Sequence, residues 1–374
     1  MKRIAIFGML LAVTTLIGCG GNDGGDAAPD NSGEQASGQT GQTSNDSYPA
    51  FVHTASEYPS WSTFMVAAKA GLINPEQGGQ HGTLETKYGV DVVLQVKDYD
   101  PCITLYANGT CDSTCITNMD ALNPAMGRKT TIIMPTSTSA GADKVIAVGA
   151  TSIDDLKGLT TYGLAKSVSQ YCFVRGLQTQ GLNPADFQFK NLDPAPAATA
   201  LQTGSGDVKA ISVWNPFALQ TLRTNKDAKE IFSSTTIPEE IIDCVVIGND
   251  SLEKPKGKEY AACLCEIFYE VNKRLNSSDS SVSDATLTAL GEDFSKLPLE
   301  DMRIVVQETR FYGTPAAGIA LFENQKFQTQ TMPTVITTCQ QIGVLEEGQQ
   351  PTVGFNDDSK QLNFTTEFMR QASQ

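Results

Sequence analysis

The residues best suited to bind or transform something fall in four short clusters. Tyr58-Pro59-Ser60-Trp61 follows the first apolar run of the folded part, and Ser137 to Asp143 is a small, polar interruption between two apolar runs. Lys166-Ser167-Val168-Ser169-Gln170-Tyr171 lies where a strand pattern turns into a helix pattern, and Trp214-Asn215-Pro216 ends another apolar run. Ser167 and Ser169 are natural N-cap residues. The free N–H groups and positive dipole end of the helix behind them suit an anionic group, with Lys166 adding charge. Ser167 equally well does no more than cap an ordinary helix. Tyr58, Trp61, Tyr171 and Trp214 offer faces for a flat heterocycle, or for a quaternary ammonium by cation–π attraction, although an isolated Trp is usually a core residue.

Catalytic chemistry finds less support. A nucleophile or general acid needs a partner base within reach, and the chain holds only His53 and His81, neither beside a Ser/Asp constellation. No P-loop is present, so neither an enzyme nor a cofactor is expected. Cys19 apart, eight cysteines remain: Cys102, Cys111, Cys115, Cys172, Cys244, Cys263, Cys265 and Cys339. The pairs Cys111/Cys115 and Cys263/Cys265 do not repeat as a zinc-type double CxxC does, so no metal site is expected among them. Disulfides are the expectation for an even number in an oxidising compartment, with buried thiols as the other outcome.

The elements that position these clusters alternate between short apolar runs and helical patterns, the mark of an α/β protein with largely parallel sheets. Strands are expected over Pro49 to Thr54, Val90 to Val96, Thr114 to Thr117, Thr130 to Met134 and Lys144 to Val148. Helices fall between them at Trp61 to Gly71, Pro101 to Ala107 and Met119 to Met126. A second series follows, with strands Thr160 to Leu164, Phe187 to Asn191 and Ala210 to Val213, and helices Val168 to Gln180, Pro196 to Thr203 and Pro216 to Arg223. Ile241 to Ile247 is a return strand, and Pro255 to Gln341 is mostly helical. The Ser137 to Asp143 interruption reads as a crossover, so a second lobe is inserted within the first, and a ligand is expected between them at the carboxyl ends of strands.

The N-terminus sets the compartment. Met1-Lys2-Arg3 precedes a short apolar run ending in Leu16-Ile17-Gly18-Cys19, which looks like a bacterial lipobox with Cys19 as the lipidated residue. Residues 20–47 are nearly all Gly, Asn, Asp, Ser, Gln, Thr and Ala, a flexible tether. The expected organisation is a signal peptide over 1–19, tether 20–47, first lobe 48–138, second lobe 139–236, and the first lobe's return with a helical region over 237–374. The expected location is extracytoplasmic, held to the membrane through the lipid alone. A net charge of −15 without a Lys/Arg-rich block argues against nucleic acid.

Asp154-Asp155-Leu156-Lys157-Gly158-Leu159, Ser167-Val168-Ser169-Gln170-Tyr171, Gly181-Leu182-Asn183-Pro184-Ala185-Asp186 and Trp214-Asn215-Pro216 resemble, in order, the second lobe of nitrate/sulfonate/taurine-type substrate-binding proteins of ABC importers, relatives of the thiamine-pyrimidine-precursor binders. Trp61 with Ala67-Ala68-Lys69-Ala70-Gly71-Leu72, Asn118-Met119-Asp120-Ala121-Leu122 and Ser139-Ala140-Gly141-Ala142-Asp143 are similar to the first lobe. The resemblance implies a two-lobed, periplasmic-binding-protein-like (type II) fold, a monomer that captures a small anion by lobe closure, and delivery to an importer permease with its ATPase. It places ligand contacts at Trp61, Asn118, Ser139, Gly141, Ala142, Ser167, Val168, Ser169 and Trp214; Tyr58, Tyr171 and Asn215 adjoin them. Asn215 stands where family members commonly carry an acidic residue, and the active-site His and Cys-rich run of the precursor synthases that share the fold are absent. The same cleft also suits a tethered sensor that reports to a signalling partner.

If Cys19 carries the only anchor, Cys19→Ser moves the protein from the membrane to the soluble fraction on fractionation and blotting. Retention in the membrane refutes the lipobox.

Overall fold

The computed structural model describes residues 48–291 and 296–373. Cys19, the expected signal peptide and the expected tether lie outside them. No helix of the described residues is long and apolar enough to cross a membrane.

The described strands form two sheets. The first carries β1 (Ala50–Ala55), β2 (Asp91–Val96), β3 (Ser113–Thr117) and β4 (Thr130–Ser139). The second is built from β5 (Asp143–Val148), β6 (Thr160–Gly163), β7 (Gln188–Asn191), β8 (Ala210–Trp214) and β9 (Ala228–Ser233). The chain then returns to the first sheet with β10 (Ile242–Gly248), β11 (Thr309–Phe311), β12 (Val353–Phe355) and β13 (Leu362–Phe364). Strand order is β12-β13-β4-β10-β3-β1-β2 with β11 on β4, and β7-β6-β8-β5-β9. The chain crosses between the sheets after β4 and again after β9.

Both sheets are mixed, with parallel pairs β1–β2, β1–β3, β4–β13, β12–β13, β6–β7 and β6–β8. β10 lies antiparallel between β3 and β4, and β5 lies antiparallel between β8 and β9. The reason is the crossing itself: a chain that leaves one sheet and enters the other through a tight turn enters reversed. That turn is shorter than the sequence suggested, because Ser137, Thr138 and Ser139 belong to β4. Their hydroxyls are satisfied inside the protein. Ser137 Oγ donates to Asp243 Oδ2 (2.5 Å) and lies 2.8 Å from Ser60 Oγ, and Thr138 Oγ1 donates to the Ile241 carbonyl (2.9 Å). Small polar residues read as loop when the groups that pair them are distant in sequence. β9 and the three-residue strands β11 to β13 went unforeseen, being too short or too edge-like to leave an alternation.

The core runs under both faces of the first sheet. On the helix Gly257–Leu275, Tyr260, Leu264, Phe268 and Val271 recur at helical spacing and are buried. Tyr260 stacks on Phe51 of β1 at 4.4 Å between ring centres. His53 is fully buried, its Nδ1 2.8 Å from Ser113 Oγ, and burial lowers its pKa to about 3, so the ring is neutral.

The cysteines correct an expectation. All eight described cysteines are buried and free, with no disulfide among them. Several thiols face backbone carbonyls rather than another sulfur, as Cys172 faces Asp143 O and Cys265 faces Ile133 O. Burial pushes the thiols up, Cys102 to about 12, so almost no thiolate forms at neutral pH. A thiol-specific chromogenic reagent should therefore react with none of these eight in the native, unreduced chain and with all eight after denaturation. Fewer than eight on denaturation reinstates disulfides.

Candidate functional site

Between the sheets four aromatic rings run in sequence from one lobe to the other. Tyr58 and Trp61 come from the loop after β1, Tyr99 from the start of the helix after β2, and Trp214 from the end of β8. Ring centres are 4.8 Å apart for Tyr58–Trp61, 5.4 Å for the stacked pair Trp61–Tyr99, and 5.5 Å for the edge-on pair Tyr99–Trp214. All four are buried. Tyr58, Trp61 and Tyr99 follow the carboxyl ends of strands and Trp214 forms one, where open α/β sheets hold ligands.

With Thr117, Asp143, Val168 and Asp243, these rings enclose a space of about 10 Å³, about the least that one water needs. Tyr99 and Trp214 also form the floor of a wider mouth of about 480 Å³, lined by Glu57, Asp98, Asp100 and Asp193 among others. No Lys, Arg or His is among the residues lining either space. Lys144 follows Asp143 in β5, but its Nζ goes to Glu230 and Glu308, 2.9 Å from each.

Burial dominates the electrostatics. It raises the Asp143 carboxyl to about 7 and Asp120 to about 6, and lifts Asp243 well above the usual carboxylate range with help from the charge of Asp143. Asp143 Oδ1 and Trp61 Nε1 are buried without a hydrogen-bond partner. Tyr58 and Tyr99 are pushed up by burial and by the carboxyls beside them.

Asp120 joins the lobes. Its Oδ2 accepts from Tyr99 Oη at 2.6 Å and Thr117 Oγ1 at 2.9 Å in the first lobe, and from Ser167 Oγ at 3.4 Å in the second. Ser167 is the N-cap of the helix Val168–Thr179, so this contact sets the Asp120 carboxyl at the helix start. The anion at that helix start is thus one of the chain's own side chains.

The twelve residues singled out by sequence separate clearly. Tyr58, Trp61, Val168 and Trp214 line the enclosed space, and Ser167 borders it through Asp120. Ser169 is buried nearby, its Oγ unpartnered. The others turn elsewhere. Asn118 bonds the backbone of Glu240 and Ile242 and so ties down the second crossing. Ser139 Oγ and the Gly141 N–H both meet Ser234 Oγ, and the Ala142 carbonyl accepts from Asn215 N, which makes these three part of the crossing turn. Gly141 has φ +111°, a conformation that side-chain-bearing residues avoid. Tyr171 Oη donates to Glu240, already paired with Arg175, and Asn215 Nδ2 donates to Glu308. Sequence reasoning missed Tyr99, Thr117 and Asp243 as lining residues, and it reached Asp143 only as the end of the Ser137 to Asp143 cluster, without giving its carboxyl a ligand contact. Tyr99 was within reach, since it follows the end of β2 as Trp61 follows β1; the carboxyls were not, because nothing local marks an Asp in a strand as facing a cleft.

No protein-family model matches the sequence, and no curated protein does. Solved structures share its fold. A putative periplasmic sulfonate-binding protein, SsuA, from Methylobacillus flagellatus aligns with a TM-score of 0.63 at 16% identity, over 87% of this chain and 94% of its own. The periplasmic aliphatic sulphonate binding protein SsuA from Escherichia coli aligns with 0.59 at 17%, over 79% and 86%. A Candida albicans gene product described as having the generic periplasmic binding protein fold aligns with 0.57 at 14%, over 80% and 92%. The fold is that of the periplasmic binding proteins: two mixed sheets flanked by helices.

Asp120→Ala removes the acceptor shared by both lobes and should cost about 1–3 kcal/mol of stability in denaturant unfolding. The sign with pH follows from its raised pKa. The folded state holds the Asp120 proton up to about pH 6, so the native residue stabilises most in acid and less once ionised, and the loss should be smaller at pH 8 than at pH 5. A loss that grows with pH would contradict a buried, near-neutral carboxyl.

Proposed function

We propose that this chain is an extracytoplasmic solute-binding lipoprotein, anchored through Cys19, whose lobes close on a small organic cation and deliver it to an ABC importer. One observation carries the choice of ligand: four aromatic rings and the buried carboxyls Asp143 and Asp243 converge on one space, with no cationic side chain lining it. Ring faces attract an ammonium group, and the attraction grows when water is excluded. The acidic mouth adds steering toward positive charge. The solute-binding role is supported by the fold and by a site lying between two lobes that the chain crosses twice.

A sulfonate, the ligand class of similarly folded proteins, fits less well. An anion beside Asp143 and Asp243 would raise carboxyls already near neutrality, and the helix start suited to it is held by Asp120. The enclosed space is nearly filled by the rings, so binding requires the lobes to part or Tyr99 and Trp214 to swing aside. A quaternary ammonium head would then sit among the rings, with its substituent in the mouth.

Calorimetry with choline and tetramethylammonium against methanesulfonate tests the ligand class. The cations should bind and methanesulfonate should not; the reverse order would refute the reading. Trp61→Ala and Trp214→Ala should each weaken cation binding by about 1–3 kcal/mol, with Ser169→Ala doing less. Affinity should also depend on pH. A cation favours ionised Asp143, whose pKa is about 7 without ligand, so binding should be full above that value, weaken as pH falls below it, and release protons near neutrality. Affinity that rises on acidification would point to an anion.

A further inference from the structure

At the opposite end of β2 from the aromatic rings, three potential metal ligands converge on the edge of the first sheet. His81, Glu85 and Asp91 each offer one ligand atom, and these atoms all lie within 4.8 Å of one another. Glu85 and Asp91 are buried. We infer that these three side chains form a binding site for a divalent metal ion such as Zn²⁺ or Mn²⁺, independent of the solute cleft.

The first support is charge. Two buried carboxylates side by side are costly without a cation, and among the described residues neither has an ion pair. With a neutral imidazole the three groups sum to two negative charges, which a divalent ion balances. The second support is the accounting of polar atoms. His81 Nδ1 and Asp91 Oδ1 are both buried without a hydrogen-bond partner, and both residues give a ligand atom to the cluster. The remaining oxygens are held in position, as ligating carboxylates need to be. Glu85 Oε2 accepts from the N–H groups of Asn74 (2.7 Å) and Gly82 (2.6 Å), and its Oε1 from Val92 N (2.8 Å). Asp91 Oδ2 accepts from Gly78 N at 2.7 Å.

Local backbone brings His81 there. Gly82 lies against Leu72 and Ile73 so closely that a Cβ would meet the Leu72 carbonyl at 2.4 Å, and only glycine lets the loop fold down beside the helix Thr83–Tyr88. His81 immediately precedes the extended N-cap Gly82, and Glu85 at the third helical position reaches back to the Gly82 N–H, which brings the two residues to one place. Tyr48 stacks on the His81 ring at 4.4 Å, fixing its plane. An N/O/O donor set with open positions for water suits Zn²⁺ or Mn²⁺, whose ligand bonds of about 2.0–2.2 Å would draw the donors closer together. A bound ion would cross-link the loop 74–82 to the start of β2. The sequence reading looked for metal only among cysteines and so passed over these residues.

The test is calorimetric titration of the purified, chelator-treated full chain with ZnCl₂, repeated with MnCl₂ and CaCl₂, and a thermal melt with and without each ion. His81→Ala removes the nitrogen donor. Asp91→Asn keeps an oxygen to accept from Gly78 N–H and removes only the charge. One equivalent of Zn²⁺ or Mn²⁺ should bind and raise the melting temperature, and each folded variant should bind at least about tenfold more weakly and lose the upward shift. Failure of the parent chain to bind any of the three ions overturns the inference. So does binding of unchanged stoichiometry and affinity in both variants, which would assign the metal to the thiols or to the acidic surface.

Discussion

Asp120 is one of several carboxyl groups that tie the two lobes together, beside Glu308 with Lys144 and Asn215, and Glu240 with Tyr171 and Arg175. Asp120 is fully enclosed and accepts hydrogen bonds from a tyrosine and a threonine of the first lobe and from the helix start of the second. A buried carboxyl is tolerable only with such a set of donors, and the set exists only when the lobes meet. The placement of Tyr99, hence the stacking of Trp61 and the edge contact with Trp214, follows from where Asp120 takes its hydrogen bonds. Parting the lobes would leave the carboxyl to water, where it ionises readily. Closure and protonation are therefore linked at this residue.

The lining of the cleft is aromatic and acidic. Asp143 and Asp243 are buried there with their carboxyls raised toward the neutral form, and Lys144 is turned away to Glu230 and Glu308. Aromatic faces on the remaining sides supply an apolar enclosure whose own electrostatics favour positive charge. An overall charge of −15 does not dictate this, because net charge reports on solubility and long-range steering rather than on any one cavity. The local arrangement does, since no residue lining the space carries a positive charge.

Around the two crossings the protein satisfies much of its buried polarity with short side chains. Ser60, Thr136, Ser137, Ser139 and Ser234 bond one another around the first crossing, and Asn118 ties the second to the same sheet. Such hydroxyl networks hold a turn in place without the desolvation cost of charges. The eight thiols serve as small apolar filling, as free cysteines in a well-packed interior do.

Local pattern by itself determined the α/β class, the order of most strands and helices up to β8, the return strand β10, and the position of Trp61 beyond one strand and of Trp214 at the end of another. Each of these rests on periodicity or on a neighbour within a few residues, which is what a linear sequence contains. Only the tertiary structure decided that Ser137 to Ser139 continue a strand, that the thiols stay apart, that Asn118, Tyr171 and Asn215 face protein partners, and that Asp143 and Asp243 face the rings. In each case the deciding partner lies far along the chain: Asp243 for Ser137, Glu240 for Tyr171, Glu308 for Asn215, and Ser167 for Asp120. The helix start at Ser167 makes the difference plain. Its capacity to hold an anion was legible from three residues, but which anion it meets was settled by a carboxyl 47 positions away.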